Sequence, residues 1–135
     1  MQISIRSRYS LRAMVYLAKA QKTCSAKEIS QKEKIPFNFL EKIFLKLQRE
    51  GLIKSRKGVK GGYFLAKPPQ RISIREILKV SEDKEIFSVR CKKRHYLSKK
   101  KCPIKKVWKK IQKTLNSALD AITLADLTNP VSSKR

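Results

Sequence analysis

Residues 56–63, Arg56-Lys57-Gly58-Val59-Lys60-Gly61-Gly62-Tyr63, decide how this chain is read. Three glycines are interleaved with three cations, and a short apolar stretch lies on each side. Leu52-Ile53-Lys54-Ser55-Arg56 and Gly62-Tyr63-Phe64-Leu65-Ala66 read as two strands joined by a basic corner. Glycine reaches positive φ without strain and lets backbone come close to a phosphate or a groove edge. Lys57, Gly58 and Lys60 are therefore the contact candidates of this hairpin. Taken alone the hairpin says little, because every hairpin needs turn residues. A catalytic phosphate loop does not fit, since no strand feeds these glycines into a helix.

The residues just upstream give the hairpin its meaning. Ser25-Ala26-Lys27-Glu28 is a capping box, with the serine capping a helix and Glu28 reaching back to the serine N–H. That helix ends near Glu33, and Lys34-Ile35-Pro36 forms a turn. A second helix over 36–50 carries Phe37, Leu40, Ile43, Phe44 and Leu47 on one face, and Gly51 fits its left-handed end. Its other face carries Asn38, Glu41, Lys42, Lys46 and Arg49. Any amphipathic surface helix could look like this. The order of capped helix, turn, helix, glycine and basic hairpin is that of a winged helix-turn-helix, whose second helix enters a major groove. Upstream again, Leu11, Met14, Val15 and Ala18 mark a first helix over residues 7–20, and Cys24 reads as a small buried packing residue.

Downstream, Lys67-Pro68-Pro69 ends the second strand and Ser73-Ile74-Arg75-Glu76 is another capping box, opening a helix to about Val80. Residues 82–103 have little apolar periodicity and read as a long loop. Ile104, Val107, Trp108, Ile111, Leu115, Leu119 and Ile122 then form a helical stripe, with Lys105, Lys106, Lys109, Lys110 and Lys113 on the opposite side. A long helix with a tryptophan needs a surface to cover it, and a second subunit supplies one. The expected fold is mainly α with a small β-hairpin: a winged helix-turn-helix domain over 1–81, a sensor or cysteine loop over 82–103, a dimerisation helix over 104–128 and a flexible tail over 129–135.

Charge supports this reading. The 135 residues carry 34 Lys+Arg against 10 Asp+Glu, a formal net charge of +24. The excess is spread along the chain and not confined to a tail, so the folded body is cationic and double-stranded DNA is the expected partner. With 7% aromatic residues and no clustered stacking platform, a general basic RNA-binding protein is the weaker alternative. His95 is the only histidine and lies in the expected loop without a pocket, so no enzyme activity is expected. The longest apolar run near the N-terminus is short of a signal core, and no run approaches a membrane span, so a cytoplasmic location is expected.

These residues resemble the Rrf-two family of bacterial winged-helix regulators, whose members include an iron–sulfur cluster regulator, a nitric-oxide-sensing repressor and a cysteine-metabolism repressor. The matching pieces are Arg8-Tyr9-Ser10-Leu11-Arg12-Ala13, Phe39-Leu40-Glu41-Lys42-Ile43-Phe44, the wing from Lys57 to Tyr63, and Cys102-Pro103-Ile104 through Trp108 to Ile122-Thr123-Leu124-Ala125-Asp126-Leu127. The resemblance implies a homodimeric transcription regulator, usually a repressor, on a near-palindromic operator. It implies that the helix over 36–50 is the recognition helix, with Asn38, Phe39, Glu41 and Lys42 near the end that meets bases. Glu41 suits a cytosine amino group, and Lys46 and Arg49 suit phosphates.

Many members of the family hold a [2Fe–2S] cluster on three cysteines and a fourth group. Cys91 and Cys102 match the outer cysteine positions, the middle one is missing, and His95 is the nearest substitute. Arg8 and Lys105 stand where relatives carry other ligands, and neither cation ligates iron in its charged form. Cys91, His95 and Cys102 are thus the candidate metal ligands of an incomplete set, for a cluster or for zinc. Seven flanking cations, from Arg90 to Lys101, also suit a thiol switch between Cys91 and Cys102. A cofactor-free DNA binder is the remaining reading.

Overall fold

Ser4, Ser25 and Ser73 each open a helix in the same way. Their hydroxyl oxygens accept from the backbone N–H three residues on: Ser7 at 3.2 Å, Glu28 at 3.0 Å and Glu76 at 3.1 Å. The computed structural model describes residues 3–82 and 103–128. In chain order they form α1 (Ile5–Ala20), α2 (Ala26–Glu33), α3 (Phe37–Arg49), β1 (Ile53–Arg56), β2 (Gly62–Leu65), a 3-10 turn at Pro69–Arg71, α4 (Ile74–Ser81), α5 (Pro103–Ala121) and α6 (Leu124–Thr128). The expected return half of each capping box goes elsewhere. Glu28 accepts from the Tyr16 hydroxyl at 2.6 Å, and Glu76 faces the Lys67 ammonium at 3.4 Å. In both cases a neighbouring side chain offers the carboxylate a donor, and the cap keeps only its serine half.

One core gathers α1 to α4, β1 and α6. Met14, Ile29, Leu40, Phe44, Leu47, Ile72, Ile77 and Leu124 are completely buried in it. β1 and β2 pair antiparallel, with Lys54 opposite Phe64 and Ser55 opposite Tyr63. The inner face of the hairpin rests on α3, where the Tyr63 and Phe44 rings lie 4.5 Å apart. Cys24 then adds a one-residue third strand. Its N–H donates to the Tyr63 carbonyl at 2.9 Å, and the Tyr63 N–H donates back at 2.7 Å. Cys24 is buried, as its sequence position suggested, and its backbone also ties the wing to the start of α2.

Residues 104–128 do not form one helix. α5 stops at Ala121, Thr123 bridges to Ser73, and α6 turns inward to bury Leu124. The Ile74 N–H donates to the Ile122 carbonyl at 2.9 Å and the Leu124 N–H to the Ile72 carbonyl at 2.8 Å. These bonds anchor the chain end to the domain. The Asp126 carboxylate accepts from the Thr123 N–H at 2.9 Å, which restarts the helix after the break. Arg75 and Asp120 pair at 2.8 Å across the α4–α5 contact. The expected tail over 129–135 and all of the cysteine loop but its edges lie outside the described residues.

Candidate nucleic-acid interface

α3 is held from behind. Leu40, Ile43, Phe44 and Leu47, at spacings of three and four, are its buried side. Phe37, expected on that side, is 42% exposed. It sits in the first turn, where the backbone is still entering from Pro36. Directly opposite the buried side run Asn38, Lys42, Leu45 and Arg49, one per turn and all exposed. Glu41 is exposed beside them, and Lys46 is half-buried at the edge. Leu45 was not singled out in the sequence. It is 50% exposed in the middle of the polar stripe, and the signal for it was its i+7 spacing from Asn38.

Phe39 has a different role from its polar neighbours. Its ring meets Tyr9 edge-on, with centroids 5.5 Å apart and planes at 84°. It therefore fixes α3 against α1. Beside it, Arg6, Phe39, Lys42, Ile43, Lys46 and Val80 line a groove of about 370 Å³ at the root of α3. The far end of α3 is tied to the wing, where the Gln48 amide donates to the Ser55 hydroxyl at 3.1 Å.

In the wing, Lys57, Gly58 and Lys60 are exposed. Gly58 has φ 113° with open space beside it. Gly61 and Gly62 are needed for a reason the sequence did not reveal. A Cβ on Gly61 would press on the Arg56 carbonyl, and one on Gly62 would press on the Cys24 carbonyl and lie 2.8 Å from the Ser25 nitrogen. The double glycine closes the hairpin and docks it on α2. At the tip Val59 projects fully into solvent. On the outer face the Arg56 guanidinium lies 5.5 Å above the Phe64 ring, which orients it before any ligand arrives.

Two carboxylates support this frame. Burial raises the Glu82 carboxyl, but bonds from the Ser4 N–H at 2.9 Å and the Ser7 hydroxyl at 2.7 Å outweigh it and hold it below the usual carboxylate range. Glu82 thereby clasps the end of α4 to the start of α1. The Tyr16 bond similarly lowers Glu28, and the Tyr16 hydroxyl is pushed up to about 12.

Burial and then Glu28 push the Cys24 thiol up to about 11, so it stays protonated at neutral pH. Among the described residues no three of His, Cys, Asp and Glu come together as a metal site. Cys91, His95 and Cys102 lie outside the described residues, while Arg8 and Lys105 are exposed cations. Among the described residues no helix is long and apolar enough to cross a membrane.

A helix pair whose second member shows a polar stripe, braced by a basic wing, defines a winged helix-turn-helix transcription regulator. The chain belongs to the Rrf2 family, whose profile, described as an iron-dependent transcriptional regulator, matches residues 3–130. It is 30% identical over 132 residues to the HTH-type transcriptional regulator IscR of Klebsiella pneumoniae, spanning 96% of this chain and 80% of that protein. Among solved structures it is similar to CymR, the global cysteine regulator of B. subtilis, with TM-score 0.79, 31% identity and coverage of 95% and 96% of the two chains. It is also similar to T. potens IscR, with TM-score 0.75, 31% identity and coverage of 94% and 85%.

Proposed function

We propose that two copies of this chain pair through α5 and read a near-palindromic operator as a repressor. The observation that carries the pairing is the edge of α5. No residue of that 19-residue helix is buried, and Ile104, Val107 and Ile111 are 43%, 54% and 41% exposed along one side. Apolar side chains repeated at helical spacing on a surface call for a covering partner. A symmetric partner brings two recognition helices to two half-sites about one helical turn apart. In each copy Asn38, Glu41 and Lys42 face base edges, Lys46 and Arg49 face phosphates, and Lys57, Gly58 and Lys60 contact the backbone beside the groove. Phe39 sets the angle of α3 through Tyr9.

Sedimentation of wild type and of a Val107→Asp/Ile111→Asp variant tests the pairing. A wild-type dimer, and a folded monomeric variant with operator affinity reduced at least about tenfold, are expected. A variant that remains dimeric overturns the pairing through α5.

The family description names iron, and the residues bearing on that are Cys91, His95 and Cys102. They do not complete a four-ligand set, and Arg8 and Lys105 add no donor in their charged form, so no step is assigned to a cluster. Mixed thiolate–imidazole ligation and a Cys91–Cys102 thiol switch are the two control readings, beside a cofactor-free binder, and the cations around both thiols suit the switch. Anaerobic purification, an absorption spectrum and an iron assay separate them. A coloured, iron-bearing protein supports a cluster, and a colourless protein that remains iron-free after reconstitution refutes the cluster, while bound zinc in that protein leaves metal ligation standing.

A further inference from the structure

The lysine side of α5 is not used by the recognition helix, the wing or the pairing edge. Lys105, Lys106, Lys109, Lys110 and Lys113 are all exposed. At 100° per residue the centre of this row lies about 160° from the centre of Ile104, Val107 and Ile111, with Lys110 on its near flank about 60° from Val107, so a partner covering the apolar edge leaves most of the row facing outward. The only carboxylate of α5 is Asp120, and it pairs with Arg75 at 2.8 Å. Five positive charges therefore stand along roughly 12 Å of helix with no acid among them. Duplex DNA presents one negative charge per about 1.7 Å, so the two densities are comparable. A lysine row of this kind carries no base-reading geometry. It binds polyanion backbone by releasing counterions, independently of sequence.

We infer that this row is a second DNA surface, which holds duplex other than the operator half-site under the recognition helix. Its orientation rests on the α5 pairing reading; its charge does not. In the dimer the two rows let one bound protein hold a further stretch of DNA, either a flank that bends back or a separate duplex.

The test uses the full chain. A duplex selected by wild type from a random pool is immobilised and saturated with protein. A second, labelled duplex of random sequence is then offered. Wild type is expected to retain the second duplex. A variant combining Lys105→Gln, Lys106→Gln, Lys109→Gln, Lys110→Gln and Lys113→Gln should bind the immobilised duplex within about twofold of wild type and retain the second about tenfold less. Gln keeps the helical preference of Lys, so the fold is preserved. The same five positions changed to Arg should retain it as wild type does. Undiminished retention by the Gln variant overturns the inference, as does a wild type that binds the immobilised duplex and retains no second one. Displacement of the second duplex by single-stranded RNA at lower concentration than by DNA also overturns it. In these three results the operator reading survives. A wild type that binds no duplex at all removes both.

Discussion

Replacing Gly62 by alanine tests how the wing is held. Gly62 has φ 151°, where side chains are rarely tolerated, and its added Cβ would lie 2.5 Å from the Cys24 carbonyl carbon and 2.8 Å from the Ser25 nitrogen. The backbone strain costs about 1–2 kcal/mol. If the clash stays, overpacking adds about 1–3 kcal/mol. If the hairpin retreats instead, the two Cys24–Tyr63 bonds at 2.9 and 2.7 Å are lost, each worth about 0.5–1.5 kcal/mol net. Either route costs roughly 2–5 kcal/mol, a large part of the 5–15 kcal/mol of a typical domain. With a urea slope of about 1.5 kcal/mol/M, a loss near 3 kcal/mol lowers the midpoint by about 2 M. Gly58→Ala is the control: it meets no atoms within 4 Å and bears only the strain of its φ of 113°. Both variants are unfolded in urea at one protein concentration, because pairing would make stability concentration-dependent. A Gly62→Ala midpoint no lower than that of Gly58→Ala refutes the reasoning.

Lys60→Ala is expected to weaken binding to all duplex sequences and to reduce the salt slope by about 0.9 for each lost phosphate contact, read from affinities over a salt series. An unchanged slope rules out that contact. Leu45→Ala should weaken a preference for thymine, because an exposed apolar group on α3 can read the thymine methyl. Wild-type affinity should accordingly fall by about 0.8 kcal/mol when uracil replaces that thymine, and by clearly less in the variant, whose shorter side chain makes less contact. Glu82 carries a pH signature. Its folded pKa is depressed, so its stabilisation is complete above the unfolded value of about 4.3 and is lost as pH falls through the folded value. Urea midpoints of Glu82→Gln should decline less steeply than wild type as pH is lowered past that value, and parallel declines would contradict the clasp.

The helices and hairpin were legible because they are local. Serine caps, helical spacing and Gly51 state their own positions, and the polar stripe from Asn38 to Arg49 followed from the same spacing. What escaped depends on contacts distant in sequence. A one-residue strand at Cys24 has no period to detect, so the purpose of Gly62 was invisible without it. The break before α6 was hidden because Ile122 continues the apolar stripe, while the bonds that stop the helix come from Ile72 and Ile74. Phe39 reads as a groove-facing residue from its place in the helix, and Tyr9, thirty positions earlier, claims its ring. Leu45 breaks the polar pattern of its face, and only its exposure shows that the break is turned outward.

Two recognition helices that read DNA together, related by symmetry, leave that symmetry in the sequences they bind. Selection of bound duplexes from a random pool by the whole chain, followed by sequencing, reads that symmetry out. Paired reading predicts an inverted repeat whose half-sites are centred about 10 base pairs apart or a multiple of that. Bound duplexes with no shared motif, or with a single unrepeated one, would contradict it.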